Sequence, residues 1–315
     1  MARSPSSPAA SPDTSSEVSG HPVLLNLILS LRPGQWTKNL LVFAGVLFGR
    51  RLSDPAAAGR ALAAFGIFCA LSGVVYLVND VIDREGDRRH PLKSRRPIAS
   101  GRLGAGTALA AAFVIGAAAL MSAFWLGGAF GAVAAAYLGL MALYSGSLKN
   151  IVIIDVLTIA VGFVLRAVAG AVAVNVEISH WLLVCTILLA LFMALAKRRQ
   201  EIVSLSDGAP GHRAILGEYS VYLLDQMIAV VTASTLISYA FYAISPETEL
   251  KFGTHWLGLT IPFPLYGIFR YLYLVHQREG GGSPADLLLT DRPLLSCVAL
   301  WALTVAIIVY RPFGL

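Results

Sequence analysis

Long apolar stretches alternate with short polar ones along almost the whole chain. Each apolar stretch has roughly the 20 residues that an α-helix needs to cross the hydrocarbon core of a bilayer. About nine such stretches can be marked, so the pattern predicts an all-α bundle of about nine transmembrane helices. Their approximate limits are 23–49, 58–79, 104–123, 127–146, 152–174, 180–197, 220–244, 255–276 and 293–311.

The first stretch departs from this pattern, because the polar sequence "RPGQWTKN" (32–39) interrupts it. Proline disfavours the helix interior, and a lysine at membrane depth is costly. A short interfacial helix followed by a short span fits this arrangement.

Composition places the chain in the membrane. Of the 315 residues, 57% are hydrophobic and 13% are charged, which excludes an ordinary soluble domain. Residues 1–22 are mostly Ser, Pro and Ala and lack the pattern of a secretory signal, so they predict a disordered cytoplasmic tail, with 23–315 as a single transmembrane domain. The net charge of +6 comes from cations in a few loops, so nucleic acid is not an expected partner.

Lysines and arginines are divided unevenly between alternate loops. Segment 79–102 holds seven and segment 197–213 holds four, while the opposite set of loops holds few, Arg50 and Arg51 among them. Cationic loops are retained on the cytoplasmic side. The sequence therefore predicts a multi-pass protein of the inner (plasma) membrane, with its amino terminus and its charged loops in the cytoplasm.

Segment 79–102 is the most heavily charged part of the chain, with three aspartates and one glutamate beside its seven cations. At about 100° per residue, Asp80, Asp83 and Asp87 fall on one face of a helix, with Tyr76 between them. Three carboxylates crowded on one face are unfavourable unless a cation lies between them. Hard oxygen ligands in this arrangement predict an Mg²⁺ site that is shared with the phosphates of a substrate.

Asn79 precedes the first aspartate and is predicted to be a neutral ligand or an orienting group in this site. The alternative is a solvated helix end with i,i+4 pairs to Arg84 and Arg88. The spacing of the aspartates and the preceding asparagine favour the metal site.

Other charged and polar residues are expected to converge on the same side of the membrane. Asp155 and Arg166 lie at membrane depth, eleven residues apart and on one helix face, where structural ion pairing and substrate binding are equal alternatives. Cations that converge on one side favour a single diphosphate-binding cavity, and the candidates to line it are Lys38, Lys149, Arg166, Lys197 and Arg198. Further candidates are Tyr76, Tyr144, Glu201 and the cations Lys93, Arg95 and Arg96, which act as retention signals or as a lid over a polyanionic substrate.

The pattern Asn79-Asp80-x-x-Asp83-x-x-x-Asp87 resembles the first Mg²⁺-diphosphate motif of the UbiA superfamily of intramembrane prenyltransferases. That superfamily has a second DxxxD motif, whereas the corresponding segment here, "KRRQEIVSLSDGAPGHRAILGEYS" (197–220), is rich in cations. The difference argues against an ordinary prenyl diphosphate donor.

The decaprenyl-phosphate phosphoribosyltransferase branch is similar to the chain from about residue 29 onward. The similarity rests on the combination of "LRPGQWTKN" (31–39), the segment 76–101, "LK" before "VIIDV" (148–156), "LRAVAG" (165–170), "KR" with Glu201, and "LLLTDR" (287–292).

This resemblance implies Mg²⁺-dependent transfer of 5-phosphoribose from phosphoribosyl pyrophosphate to a polyprenyl phosphate, in the synthesis of an arabinose donor for cell-envelope polysaccharide. Asp80, Asp83 and Asp87 would stabilise the leaving pyrophosphate, and Asp155 is the nearest candidate for a general base. A homo-oligomer is compatible with the sequence.

Two other functions are kept as alternatives. One is a prenyltransferase that joins a prenyl diphosphate to an aromatic or quinone acceptor, against which the missing second acidic motif counts. The other is a membrane transporter with Asp155 and Arg166 along its pathway, which predicts paired inverted repeats that the sequence does not display.

Overall fold

The computed structural model describes residues 23–91, 93–177, 179–205, 214–277, 287 and 290–310. The predicted tail, residues 1–22, lies outside the described residues. Within the described ranges the chain is helical and contains no β-strand, as the all-α prediction requires.

Among the described residues, seven helices are long and apolar enough to cross a membrane. They correspond to seven of the nine predicted stretches. Their ends differ from the predicted ones by about three residues or fewer, except that α8 continues to Leu205, beyond the predicted end at 197. These helices are α3 (Pro55–Ile82), α5 (Ala105–Leu126), α6 (Gly128–Gly146), α7 (Ile154–Ala173), α8 (His180–Leu205), α9 (Val221–Ile244) and α12 (Arg292–Tyr310).

The other two predicted stretches are divided into shorter helices. The stretch 23–49 becomes α1 (Val23–Ser30), a 3-10 helix (Pro33–Phe43) and α2 (Ala44–Phe48). The stretch 255–276 becomes a 3-10 helix (Trp256–Thr260) and α11 (Pro262–Gln277). A proline begins the second piece in both cases, which fits its preference for the first turn of a helix. The remaining short helices are α4 (Arg84–Arg89) and α10 (Pro246–Phe252).

The divided first stretch is held against α7 by direct contact between backbones. A Cβ atom built on Gly170 would lie 1.9 Å from the carbonyl oxygen of Val42, and one built on Gly45 would lie 2.6 Å from the Cα atom of Ala171. Small residues allow helices in a membrane to approach this closely. The contact fixes the polar segment Pro33–Phe43 inside the bundle.

The two ends of the bundle differ in chemistry. At one end, Arg60 of α3 donates through Nε to the carbonyl of Ala173 (2.6 Å) and through Nη2 to the carbonyl of Leu126 (2.9 Å). These carbonyls end α7 and α5, where a cation satisfies unpaired acceptors and the helix dipole. The opposite end carries Asp83, Lys149 and their neighbours, and we call it the charged end.

The glycine contact leads to a stability prediction. Gly170→Ala should destabilise the protein by about 1–3 kcal/mol, because the added methyl group meets backbone that cannot rotate away. Gly66→Ala in α3 is the control, since no atom lies within 4 Å of its built Cβ. Thermal unfolding in detergent should show a lower midpoint for Gly170→Ala only; equal midpoints for both variants would contradict the prediction.

Candidate functional site

The acidic motif lies where α3 gives way to α4. Helix α3 ends at Ile82, and Asp83 follows with φ −87° and ψ 6° before α4 begins. The amide of Asp83 still donates to the carbonyl of Asn79, and that of Asp87 to the carbonyl of Asp83, both at 2.8 Å. The predicted shared face therefore persists for Asp80 and Asp87, which are buried, while Asp83 is partly exposed.

Arg96 joins the two buried carboxylates. Its Nη1 atom lies 3.1 Å from Oδ1 of Asp80 and 2.5 Å from Oδ2 of Asp87. A single cationic nitrogen therefore occupies a point that both carboxylates face. The predicted i,i+4 pairs to Arg84 and Arg88 are not the observed ones, since Arg88 pairs with Glu85 and with a loop carbonyl.

Arg32 is a member of the site that sequence reasoning missed. It forms an ion pair with Oδ1 of Asp80, and its guanidinium lies 4.8 Å from the centre of the Tyr76 ring. Its backbone has φ 53°, an uncommon conformation for a residue with a side chain, directly before Pro33. The arginine at the break in the first apolar stretch was the sequence signal for this role.

Lys149 reaches the motif from a different loop. It lies on the 3-10 turn Leu148–Asn150, and its Nζ atom is 3.0 Å from Oδ1 of Asp83. The lysine side chain is mostly buried, at 15% exposure, and the aspartate is 37% exposed. The structure thus brings together a predicted metal ligand and a predicted phosphate-binding residue that are 66 residues apart in sequence.

A second cluster of charges surrounds Asp155, which is fully buried. Arg198 donates through Nε to Oδ2 of Asp155 at 2.9 Å and through Nη1 to Glu201 at 2.6 Å. Tyr144 lies at the edge of this cluster, 3.5 Å from Nη2 of Arg198. Tyr219, which was not predicted, donates its hydroxyl to Oδ1 of Asp155 at 2.8 Å. The structural ion pair considered for Asp155 is therefore present, with Arg198 as the partner.

Arg166 belongs to neither cluster. It is buried, and it donates to Oδ1 of Asn39 (2.8 Å), to the hydroxyl of Tyr137 (2.8 Å) and to the carbonyl of Gly162 (2.9 Å). Its guanidinium also lies over the rings of Tyr137 and Phe163. These contacts tie the divided first stretch to α6 and α7, and no described contact joins Arg166 to the carboxylates.

The other predicted residues lie around these clusters. Asn79 and Lys38 are half-buried, the former one residue before the buried aspartate and the latter on the 3-10 helix Pro33–Phe43. Lys93 and Arg95 bound a short 3-10 turn after α4, with Arg95 exposed. Lys197 is also exposed, with 56% of its side chain accessible.

The acidic motif suits a hard divalent cation in its chemistry. Among the described residues, no three His, Cys, Asp or Glu side chains stand close enough to hold a metal ion. Arg96 lies between two of the carboxylates, and Lys149 pairs with the third. Two buried carboxylates that already share one cation provide the oxygen ligands that Mg²⁺ prefers.

Comparisons with known proteins identify the family to which the sequence is similar. The UbiA prenyltransferase family model matches residues 39–288. The decaprenyl-phosphate phosphoribosyltransferase of Mycolicibacterium smegmatis is 31% identical over 297 residues, which cover 90% of this chain and 92% of the relative. That of Corynebacterium glutamicum is 32% identical over 295 residues, 90% of this chain and 86% of the relative. The nodulation protein NoeC of Azorhizobium caulinodans is 29% identical and covers 89% of this chain and 92% of its own length.

Solved structures share the fold. A UbiA homolog from Archaeoglobus fulgidus bound to GPP and Mg²⁺ has a TM-score of 0.70 at 18% identity, covering 90% of this chain and 99% of that one. The same homolog bound to DMAPP and Mg²⁺ has a TM-score of 0.69. The chain therefore shares its arrangement of helices with these solved structures.

The buried Asp155–Arg198 pair predicts a large effect on stability. Arg198→Met should lower the free energy of unfolding by about 3–5 kcal/mol, because it leaves a buried carboxylate without its cation. Arg51→Met, which removes an exposed pair with Asp54, should cost less than about 1 kcal/mol. Denaturant titration in mixed micelles measures both, and the double variant Asp155→Asn/Arg198→Met should recover part of the loss. Similar costs for the two single variants would contradict this.

The shared position of Arg96 predicts a response to metal. In Arg96→Met, Asp80 and Asp87 lose their common cation, so Mg²⁺ should raise the thermal midpoint more than it does in the unaltered protein. Arg95→Met, a neighbouring exposed cation, is the control and should respond as the unaltered protein does. An equal response in all three proteins would argue against a metal site at these carboxylates.

Proposed function

The chain belongs to the UbiA prenyltransferase family, and from that membership we propose that it transfers 5-phosphoribose from phosphoribosyl pyrophosphate to a polyprenyl phosphate of the decaprenyl type. The observation that carries the proposal is the charged end, where carboxylates suited to Mg²⁺ lie among cations suited to phosphate. The names of the relatives that align along nearly the whole chain support the same reaction.

The reaction is a displacement at the anomeric carbon. An oxygen of the lipid phosphate forms a bond to C1 of the ribose, and the bond from C1 to the pyrophosphate oxygen breaks, with both electrons leaving on pyrophosphate. The transition state resembles an oxocarbenium ion, so negative charge grows on the leaving group. Mg²⁺ held by Asp80, Asp83 and Asp87, with Asn79 beside them, would supply electrostatic stabilisation of that charge.

The cations now paired with these carboxylates are the groups best placed to bind the phosphates. Arg96, Arg32 and Lys149 each contact an aspartate of the motif. When a polyanion and its metal enter, these side chains can exchange a carboxylate for a phosphate while remaining paired. Arginine matches phosphate with two parallel donors, and lysine does so as a point charge.

A general base is not required, since the attacking phosphate monoester is already anionic. Asp155 is fully buried and bound to both Arg198 and Tyr219, which suits the fixing of Arg198 better than the removal of a proton. Arg198 and Lys197 lie where the superfamily's second acidic motif would stand. Their side chains offer hydrogen-bond donors to a phosphate group, where the second acidic motif would offer oxygen ligands to a second metal ion.

The proposal also includes the setting of the reaction. Cationic loops gathered at one end favour a cytoplasmic active site in the plasma membrane, where a soluble phosphoribosyl donor is accessible. The lipid product would serve as a precursor of cell-envelope polysaccharide. The remaining candidate is prenyl transfer to an aromatic or quinone acceptor, which the prenyl diphosphates bound to the structural neighbours favour.

Transfer of label tests the proposal directly. The purified protein in detergent is incubated with Mg²⁺, labelled phosphoribosyl pyrophosphate and a polyprenyl phosphate, and label is followed into the lipid phase. Asp83→Asn should lower the rate by about 100-fold or more, because it weakens stabilisation of the leaving group. Glu85→Gln, an exposed carboxylate of α4 paired with Arg88, should leave the rate within about twofold.

Chelation of Mg²⁺ should abolish transfer in the same assay. No transfer by the unaltered protein, or full activity in Asp83→Asn, would overturn the proposal. A parallel reaction with geranyl diphosphate and an aromatic acid tests the remaining candidate, and product in that reaction alone would favour it.

A further inference from the structure

The turn that carries Lys149 ends in a strained residue. Ile153, directly before α7, has φ 69° and ψ −42°. Positive φ is a true outlier for a β-branched residue and persists only where neighbouring groups enforce it. The backbone amide of Ile153 donates to the hydroxyl of Tyr219 at 2.7 Å.

The same hydroxyl has a second partner. It donates its proton to Oδ1 of Asp155 at 2.8 Å, and the other oxygen of that carboxylate accepts from Arg198. Tyr219 is 4% exposed, and burial raises the pKa of Tyr219 to about 12, so the hydroxyl keeps the proton that it donates. One buried oxygen thus links the strained turn to the charge cluster between α7 and α8.

We propose that Tyr219 is a positioning residue for Lys149, through the hydrogen bond that holds Ile153 in its strained conformation. The inference rests on the proposed function, in which Lys149 binds a phosphate of the substrate. Its geometric basis is that Ile153 lies only four positions after Lys149, and the 3-10 turn that contains Lys149 packs against the short 3-10 helix Ala214–Glu218 that precedes Tyr219.

The hydroxyl, and not the ring, carries this role. A ring packed in the core would serve equally well as phenylalanine, and Tyr219 does pack in the apolar cluster that includes Leu195 and Leu224. Phenylalanine would keep those contacts. The amide of Ile153 would lose its acceptor, and one oxygen of Asp155 would lose its donor. The turn would then relax from its strained conformation, and Lys149 would move with it.

Hydrogen exchange of the full-length protein in detergent tests the link without any substrate. Tyr219→Phe should speed exchange in peptides that cover 147–153 by about tenfold or more, because the amide loses its acceptor and the turn opens more often. Tyr222→Phe is the matched control, since that side chain is 75% exposed, and its exchange should equal that of the unaltered protein. Unchanged exchange of 147–153 in Tyr219→Phe would overturn the inference.

Transfer kinetics test the consequence for Lys149 by a double-mutant cycle. Tyr219→Phe should lower kcat/KM by about tenfold or more. If Lys149→Ala acts on KM, Tyr219→Phe should act on KM, and if Lys149→Ala acts on kcat, so should Tyr219→Phe. In the Lys149→Ala background the same substitution should change kcat/KM by less than about twofold. Independent, multiplying effects would show that Tyr219 does not act through Lys149.

The two measurements separate the possible failures. If the unaltered protein transfers no label, the proposed function fails and the exchange experiment alone decides whether Tyr219 holds the turn. If transfer occurs but the exchange of 147–153 is the same in all three proteins, the positioning role of Tyr219 fails and the proposed function stands.

Discussion

A carboxylate removed from water requires a cation, and this requirement organises the charged end of the bundle. The buried Asp80 is paired with Arg32 and Arg96 and the buried Asp155 with Arg198, while the partly exposed Asp83 is paired with Lys149. In each case the cation comes from a different helix or loop, because the aspartates stand on helix ends that the cations approach from the side. Breaking any buried pair is costly, so these contacts fix the loops relative to one another.

Local patterns in the sequence were sufficient for seven of the nine predicted helices and for the shared face of two aspartates. Hydropathy located seven helices, all but α8 to within about three residues at each end, and helical spacing placed Asp80 and Asp87 on one face. Arg32 could not be found in this way, since its contact with Asp80 depends on a left-handed backbone and on the packing of a divided segment against α7. Tyr219 was equally hidden, because its partners are about 65 residues away and its ring resembles any core aromatic.

Arg166 illustrates why charge at membrane depth is an ambiguous signal. An intramembrane arginine is a candidate for function by default, and it was predicted to bind phosphate. In the structure an amide, a phenol and a carbonyl receive its hydrogen bonds, and two aromatic faces cover its charge. Dipoles from three separate elements satisfy this cation, and no sequence spacing can reveal such an arrangement.

Arg60 joins helix ends at the end of the bundle opposite the charged end. By donating to the terminal carbonyls of α5 and α7, it joins three helices at a distance from the acidic motif. Substitutions of exposed residues in the charged loops, outside the buried ion pairs, can then alter what the site accepts without loosening the helices beneath it. A bundle whose helices are joined at one end can accept a new donor when the loop residues at the other end are substituted. Relatives with this fold can therefore diverge in substrate faster than in helix arrangement.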